Sequence, residues 1–320
     1  MGDEDDTGIG DPVKKQLRAA LSYSLSKAFD LGGPNAPQKY VDFVSRLPAP
    51  SPTSRRVRQV LLNLPITGIF TVCINNDGDS FRYCTDPSDD FHLSCRMQFL
   101  EYEPGTRAAF ARLARISRTV VDVGAYAGLY SLIAAAANTE CSVVAFEPSP
   151  TAFRLLERNI EVNSLDLRIR AVPFGLADCS GHTFLFGTSD RSASTTASLL
   201  QPLDTAQSEA STSISVARLD EISAVQAVDL MKIDVEGAEV AVLLGASRTL
   251  STHRPTLLIE ALTDTDLAAQ HSVLQAFGYT QPMSVKPQHS SVLRNYFWIH
   301  NSRRDESLEV VHEALEISSN

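Results

Sequence analysis

The stretch "DLMKIDVEGAEV", residues 229–240, opens as a buried strand, with Leu230, Met231, Ile233 and Val235. The same stretch carries Asp229, Lys232, Asp234, Glu236 and Glu239. Charge at the end of an apolar strand is costly to bury and is seldom placed there without something to meet. Asp234 and Glu236 therefore stand as candidate site residues where a strand gives way to a helix.

Working outward, the chain alternates between two hydrophobic periods. "TVVDV" (119–123), "SVVAF" (142–146), "LRIRAV" (167–172) and "TLLIE" (256–260) read as strands, and "NYFWIH" (295–300) as a closing strand. Between them "GLYSLIAAAA" (128–137), "PTAFRLLERNIEVN" (150–163), "AEVAVLLGA" (238–246) and "LAAQHSVLQAFGY" (267–279) read as helices. This order predicts an α/β fold, an open, doubly wound and mainly parallel sheet with helices on both faces. Ligands of such sheets bind beyond the carboxyl ends of the strands, near the point where strand order reverses.

The strand ends can then be read together. The first runs into "VVDVGAYAGLY", where Gly124 and Gly128 bracket a tight turn before a helix and Asp122 can hold that turn. The spacing is DxGxxxG rather than GxGxxG, which counts against a dinucleotide fingerprint. The second strand ends in Glu147 and Pro148, with an acid placed to accept ribose hydroxyls or to favour a helix start. The third leads to Asp178, either a turn aspartate or a partner for an adenine amino group. The fourth ends in Asp234 and the fifth in Glu260. A glycine turn followed by an acid at the next strand end points to a nucleoside-containing cofactor. His182 and His253 are weaker candidates for a base. Asp234 with Glu260 is a conceivable cation pair, but no close Asp–Asn pair accompanies it, and no metal is expected.

The segments named above resemble the FkbM family of S-adenosylmethionine-dependent methyltransferases across about residues 100–300, with "KIDVEGAE" the most specific block and "FEPSP" and "ERNIEVN" in support. The family pattern reads DxGANxG, and Tyr126 stands here where the asparagine is expected. The resemblance implies a class I methyltransferase fold, S-adenosyl-L-methionine as cofactor, and methylation of a hydroxyl on a sugar, glycan or polyketide-type molecule. It implies that Asp122, Gly124, Ala125, Tyr126 and Gly128 surround the methionine portion, Glu147 and Pro148 the ribose, and Asp178 the adenine. Asp234, Glu236 and Glu260 would face the methyl group and acceptor, with Asp234 also lying over the cofactor and binding it. A nicotinamide-dependent oxidoreductase and a non-catalytic binding or scaffold protein are the competing readings.

The remaining features set boundaries. The chain has 320 residues, 43% hydrophobic and 21% charged, enough for one large domain with additions. A net charge of −10 argues against a phosphate-backbone binder, so no nucleic-acid partner is expected. The acidic opening "MGDEDDTGIGDP" is unlike a signal peptide, no apolar run is long enough for a membrane span, and a cytoplasmic protein is expected. Five cysteines (73, 84, 95, 141, 179) without metal spacing read as reduced thiols. Residues 1–12 read as a disordered tail, 13–100 as a helical and hairpin extension, 101–302 as the methyltransferase domain and 303–320 as a C-terminal helix and tail. Within the extension, a helix at 13–29 is a candidate homodimer contact, 47–56 a linker, and 69–85 a hairpin. A helix near 104–115 follows, and the Ser/Thr-rich segment 187–213 reads as a functional loop.

Overall fold

A computed structural model describes residues 38–40, 42, 67–74, 79–85, 103–186, 211–280, 282–284, 294–303 and 309–311. The expected tail, the helix at 13–29, the linker at 47–56 and residues 187–210 of the Ser/Thr-rich segment lie outside the described residues.

The described chain begins with an antiparallel hairpin, β1 (Gly68–Cys73) and β2 (Ser80–Thr85), and then α1 (Pro104–Arg115). An alternating run follows: β3 (Thr119–Val123), α2 (Leu129–Ala137), β4 (Ser142–Phe146), α3 (Pro150–Val162) and β5 (Ile169–Val172). Next come β6 (Gly175–Leu176), β7 (Gly181–Phe186) and β8 (Ser211–Ala217). The chain continues through β9 (Leu230–Ile233), α4 (Glu239–Gly245), α5 (Ser247–Thr252), β10 (Thr256–Ala261) and α6 (Asp264–Gln275). It closes with β11 (Met283–Ser284) and β12 (Arg294–Trp298).

Seven strands form the main sheet in the order β11-β12-β10-β9-β3-β4-β5. β5, β4, β3, β9 and β10 are parallel, and β12 runs antiparallel to β10. The order reverses between β3 and β9, which puts the end of β3 and the end of β9 side by side at the switch point. This is the open, doubly wound and mainly parallel sheet expected from the alternating pattern.

Each face of the sheet carries its own core. On one, Val120 of β3 packs with Leu132 and Ile133 of α2 and Leu155, Leu156 and Ile160 of α3. On the other, Val121 and Val123 pack with Val242 and Leu243 of α4, Leu250 of α5 and Leu274 of α6. Successive residues of one strand thus feed opposite cores, which is why the strand reads as a continuous apolar run. The three strands that follow β5 depart from the main sheet: β6, β8 and β7 form a small separate sheet around Ala177, Leu185, Ile214 and Val216.

The hairpin shares the first core through Phe70, Val72, Phe81 and Tyr83. Two asparagines one helical turn apart fasten it, Asn159 on α3 and Asn163 at its C-cap. The Cys84 amide donates to Asn159 Oδ1 (2.6 Å) and the Arg82 amide to Asn163 Oδ1 (2.7 Å). Asn159 is fully buried and its Nδ2 also donates to the Ala127 carbonyl (2.9 Å). At the far end of the chain residues 309–311 are helical, and Val311 lies in the first core. No helix among the described residues is long and apolar enough to cross a membrane. Cys73, Cys84, Cys141 and Cys179 are free thiols.

Removing Asn159 strips hydrogen bonds from a fully buried position. Asn159→Ala is expected to lower unfolding stability by about 2–3 kcal/mol in urea, with Asn163→Ala, which is only half-buried, costing less.

Candidate active site

The turn between β3 and α2 is held in a conformation few sequences tolerate. Gly124 (φ +74°), Tyr126 (φ +51°) and Gly128 (φ +88°) all lie in the left-handed region. A Cβ on Gly124 would sit 1.9 Å from the backbone carbonyl oxygen of Asp234, so β3 and β9 approach here as closely as backbones can. The Gly124 and Ala125 amides both donate to the Phe146 carbonyl (3.0 Å each), tying the turn to the end of β4.

Glu147 follows β4 and is buried. Its Oε2 accepts from the Tyr126 amide and its Oε1 from the Ser149 amide, each at 2.8 Å. Burial pushes this carboxyl up to about 7 despite the two amides that favour its charged form. Pro148 lies beside it, half-buried. Asp122 is fully buried; its Oδ2 accepts from the Ser131 amide (3.0 Å) and hydroxyl (2.6 Å), fixing the start of α2. It therefore supports the turn from behind. Burial raises its pKa more than Lys232 and Ser131 lower it.

Lys232, central in the motif but assigned no role from sequence, is buried among these groups. Its Nζ lies 3.0 Å from the Gly124 carbonyl, 3.1 Å from Asp234 Oδ2 and 3.8 Å from Asp122 Oδ1, and 5.3 Å from the centroid of the Tyr130 ring. Burial alone would lower its pKa, but Asp234 and Asp122 outweigh that and hold it charged.

Asp234, Glu236 and Glu260 converge as the strand ends suggested: one carboxylate oxygen from each lies within 4.8 Å of the others. Glu260 is buried within β10 and is pushed up to about 10 by burial and then by Asp234 and Glu236. Glu236 (φ +53°) is raised to about 7 by burial, with Asp234 and Glu239 adding to it. Glu239 is spent on structure, since its Oε1 accepts from the Val235 (3.2 Å) and Gly237 (3.1 Å) amides. Glu103, just before α1, also belongs to this neighbourhood: it accepts from the Tyr130 hydroxyl (2.5 Å) and from Asn295 Nδ2 (2.7 Å), and Asn295 stands opposite Glu260 in the ladder. Nothing in the local sequence around Glu103 signals this.

The other candidates fall elsewhere. Asp178 is exposed at the turn after β6, where the backbone of residues 177 and 178 packs against Gly245. No described contact joins its side chain to the cluster. His182 is exposed on β7. His253 precedes β10 and so lies at the amino edge of the sheet, opposite the carboxylates.

The methyltransferase FkbM domain matches residues 122–280. The chain is 27% identical over 153 residues to methyltransferase sdnD of Sordaria araneosa, an alignment covering 39% of this chain and 59% of that protein. It is 26% identical over 142 residues to methyltransferase 1 of Beauveria bassiana, covering 39% and 57%. The chain thus spans less than two-thirds of these curated relatives. A solved methyltransferase FkbM from Methylobacillus flagellatus KT aligns over 83% of this chain and 59% of its own, at 18% identity and a TM-score of 0.44.

Glu147 also gives the stability of the ligand-free protein a pH dependence. Its folded-state pKa, about 7, lies above the ordinary 4.5, so its contribution is fully present below pH 4.5 and is lost as pH rises through 7. Thermal unfolding followed across that window should show a melting temperature that falls more steeply with pH in the wild type than in Glu147→Gln.

Proposed function

The chain belongs to the methyltransferase FkbM family through residues 122–280, and on that premise we propose that it is an S-adenosylmethionine-dependent O-methyltransferase acting on a hydroxyl of a sugar, glycan or polyketide-type molecule. The observation that carries the reading is the meeting, at the switch point of the sheet, of a left-handed glycine turn, an acid at the end of the neighbouring strand, and three converging carboxylates.

The residues fit such a cofactor. Each Glu147 oxygen accepts one backbone amide and keeps a second lone pair, which suits two ribose hydroxyls. The turn from Gly124 to Gly128 provides the floor for the methionine portion, with Asp122 acting through Ser131 and Lys232. Pro148 borders the ribose. Asp178 is assigned to the adenine, a role that requires its exposed turn to face the cofactor. When bound, the cofactor supplies a methyl group already activated on a positively charged sulfur. The acid cluster opposes that charge with its own, and the attraction is strong where water is excluded. Asp234 and Glu236 are the groups placed to take the acceptor proton, and Glu236, raised to about 7, is matched to general-base work near neutrality.

Isothermal titration with S-adenosylhomocysteine should give saturable binding. Glu147→Ala should weaken it roughly tenfold to hundredfold with the circular dichroism spectrum unchanged, as expected for loss of charge-assisted hydrogen bonds. Asp234→Asn should reduce turnover by about 10²-fold or more while shifting S-adenosylhomocysteine affinity much less. Unchanged turnover in that variant would remove Asp234 from the reaction.

A further inference from the structure

We propose that Asp234, Glu236 and Glu260 form a site for one divalent cation of the hard, oxygen-seeking class, and that this ion holds the acceptor oxygen. No metal is expected from the sequence, which lacks a close Asp–Asn pair; the coordinates change this by bringing a third carboxylate, Glu236, onto the strand-end pair.

The geometry suits one ion. An oxygen from each residue lies within 4.8 Å of the other two. Magnesium, manganese or calcium holds oxygen ligands at about 2.0–2.6 Å, so ligands across one ion lie about 4–5 Å apart. All three fit one coordination sphere, with positions left for water and an acceptor oxygen. The donor set is carboxylate alone, which favours these cations over zinc or copper.

A second observation points to a missing partner. Glu260 is only 4% exposed, its Oε2 is buried with no N–H donor on it, and its hydrogen-bond neighbour is the Asp234 carboxyl, with which it can bond only by sharing a proton. Neighbouring carboxylates have no proton to donate to it when ionised. The ammonium of Lys232 does not fill the gap, because its ion pairs go to Asp234 and Asp122. Three carboxylates so close require a cation or a shared proton to coexist, and Glu260, the most buried of them, has an oxygen available to it.

The role given to the ion rests on the methyltransferase reading. An acceptor hydroxyl bound to the ion loses its proton more easily. Its oxygen then forms the new C–O bond while the S–C bond breaks and leaves its electron pair on sulfur. The hydroxyl proton leaves to solvent water, since the ion lowers the hydroxyl's pKa and the three carboxylates are occupied as its ligands.

The test uses the full chain, stripped with a chelator and titrated with manganese by calorimetry and by electron paramagnetic resonance, with S-adenosylhomocysteine titrated in parallel. The expected result is one manganese per chain with a dissociation constant below about 1 mM. Glu260→Gln and Glu236→Gln should each weaken manganese binding at least tenfold while still binding S-adenosylhomocysteine, which shows that they are folded. Glu157→Gln, on the exposed face of α3, should bind manganese as the wild type does. A chain that binds S-adenosylhomocysteine but takes up no manganese at millimolar ion overturns the cation site and leaves the methyltransferase reading standing. So does undiminished binding in both site variants. Manganese bound through these carboxylates by a chain that ignores S-adenosylhomocysteine supports the site and overturns the role given to it.

Discussion

The Lys232 ammonium, 3.0 Å from the Gly124 carbonyl and 3.1 Å from Asp234, holds the carboxyl edge of the sheet together. It sits where β3 and β9 lie side by side and strand order reverses. At that point a Cβ on Gly124 would already strike the Asp234 carbonyl, so the two strand ends must be held in register. A buried cation suits this because its attraction to Asp122 and Asp234 is little screened, and removing it would leave two carboxylates facing each other with nothing between. Asp122 can therefore be fully buried and stay useful without touching a ligand: it orients Lys232 on one side and the start of α2 on the other.

A second device recurs at two strand-to-helix turns. Glu147 collects the Tyr126 and Ser149 amides, and Glu239 collects those of Val235 and Gly237. In each case a buried carboxylate satisfies backbone donors that the irregular turn cannot pair for itself. Acids at helix starts thus divide by the direction they face. Glu239 is turned inward on the backbone, whereas Asp234 and Glu236 are left to meet Glu260. The convergence costs stability in the ligand-free protein, since burial and like charge push Glu236 and Glu260 in the same direction. A positively charged ligand recovers that energy on binding, which is how a site can gain affinity from groups that destabilise it when empty.

The parts legible in the sequence are those whose signal is local. Apolar runs and period-3.6 patterns marked β3, α2, β4, α3, β5, β9, α4, β10 and α6, and strand ends named Glu147, Asp234 and Glu260 because each strand terminates within a few residues of its acid. What escaped depends on long separations. Lys232 meets Gly124 across 108 positions, and Asn295 meets Glu103 across 192. A lysine inside an apolar strand could be noted as unusual, but its partners could not be chosen without the parallel register of β3 and β9. Glu103 looks like an ordinary acid before a proline-led helix, and only the folded chain brings it to Tyr130 and Asn295. Asp178 is harder to read from its position alone: it follows the third strand, but the chain there leaves the main sheet to build β6, β7 and β8.

Tyr126 draws the hairpin into the same argument. A left-handed backbone is cheap for asparagine, which the family pattern leads one to expect, and dearer for an aromatic residue. The conformation persists because its neighbours leave it no alternative. Gly124 is pressed against the Asp234 carbonyl, Glu147 fixes the Tyr126 amide, and Asn159 holds the Ala127 carbonyl. Asn159 in turn uses its other atom to bind the Cys84 amide of β2, so one buried side chain joins the hairpin to the turn. The half-buried ring of Tyr126 packs against the core to which Phe70 and Tyr83 of the hairpin belong. Strain at a turn is sustained only when the surroundings over-determine it. Here part of the surroundings is the hairpin, which makes it a supporting wall of the site rather than an appendage.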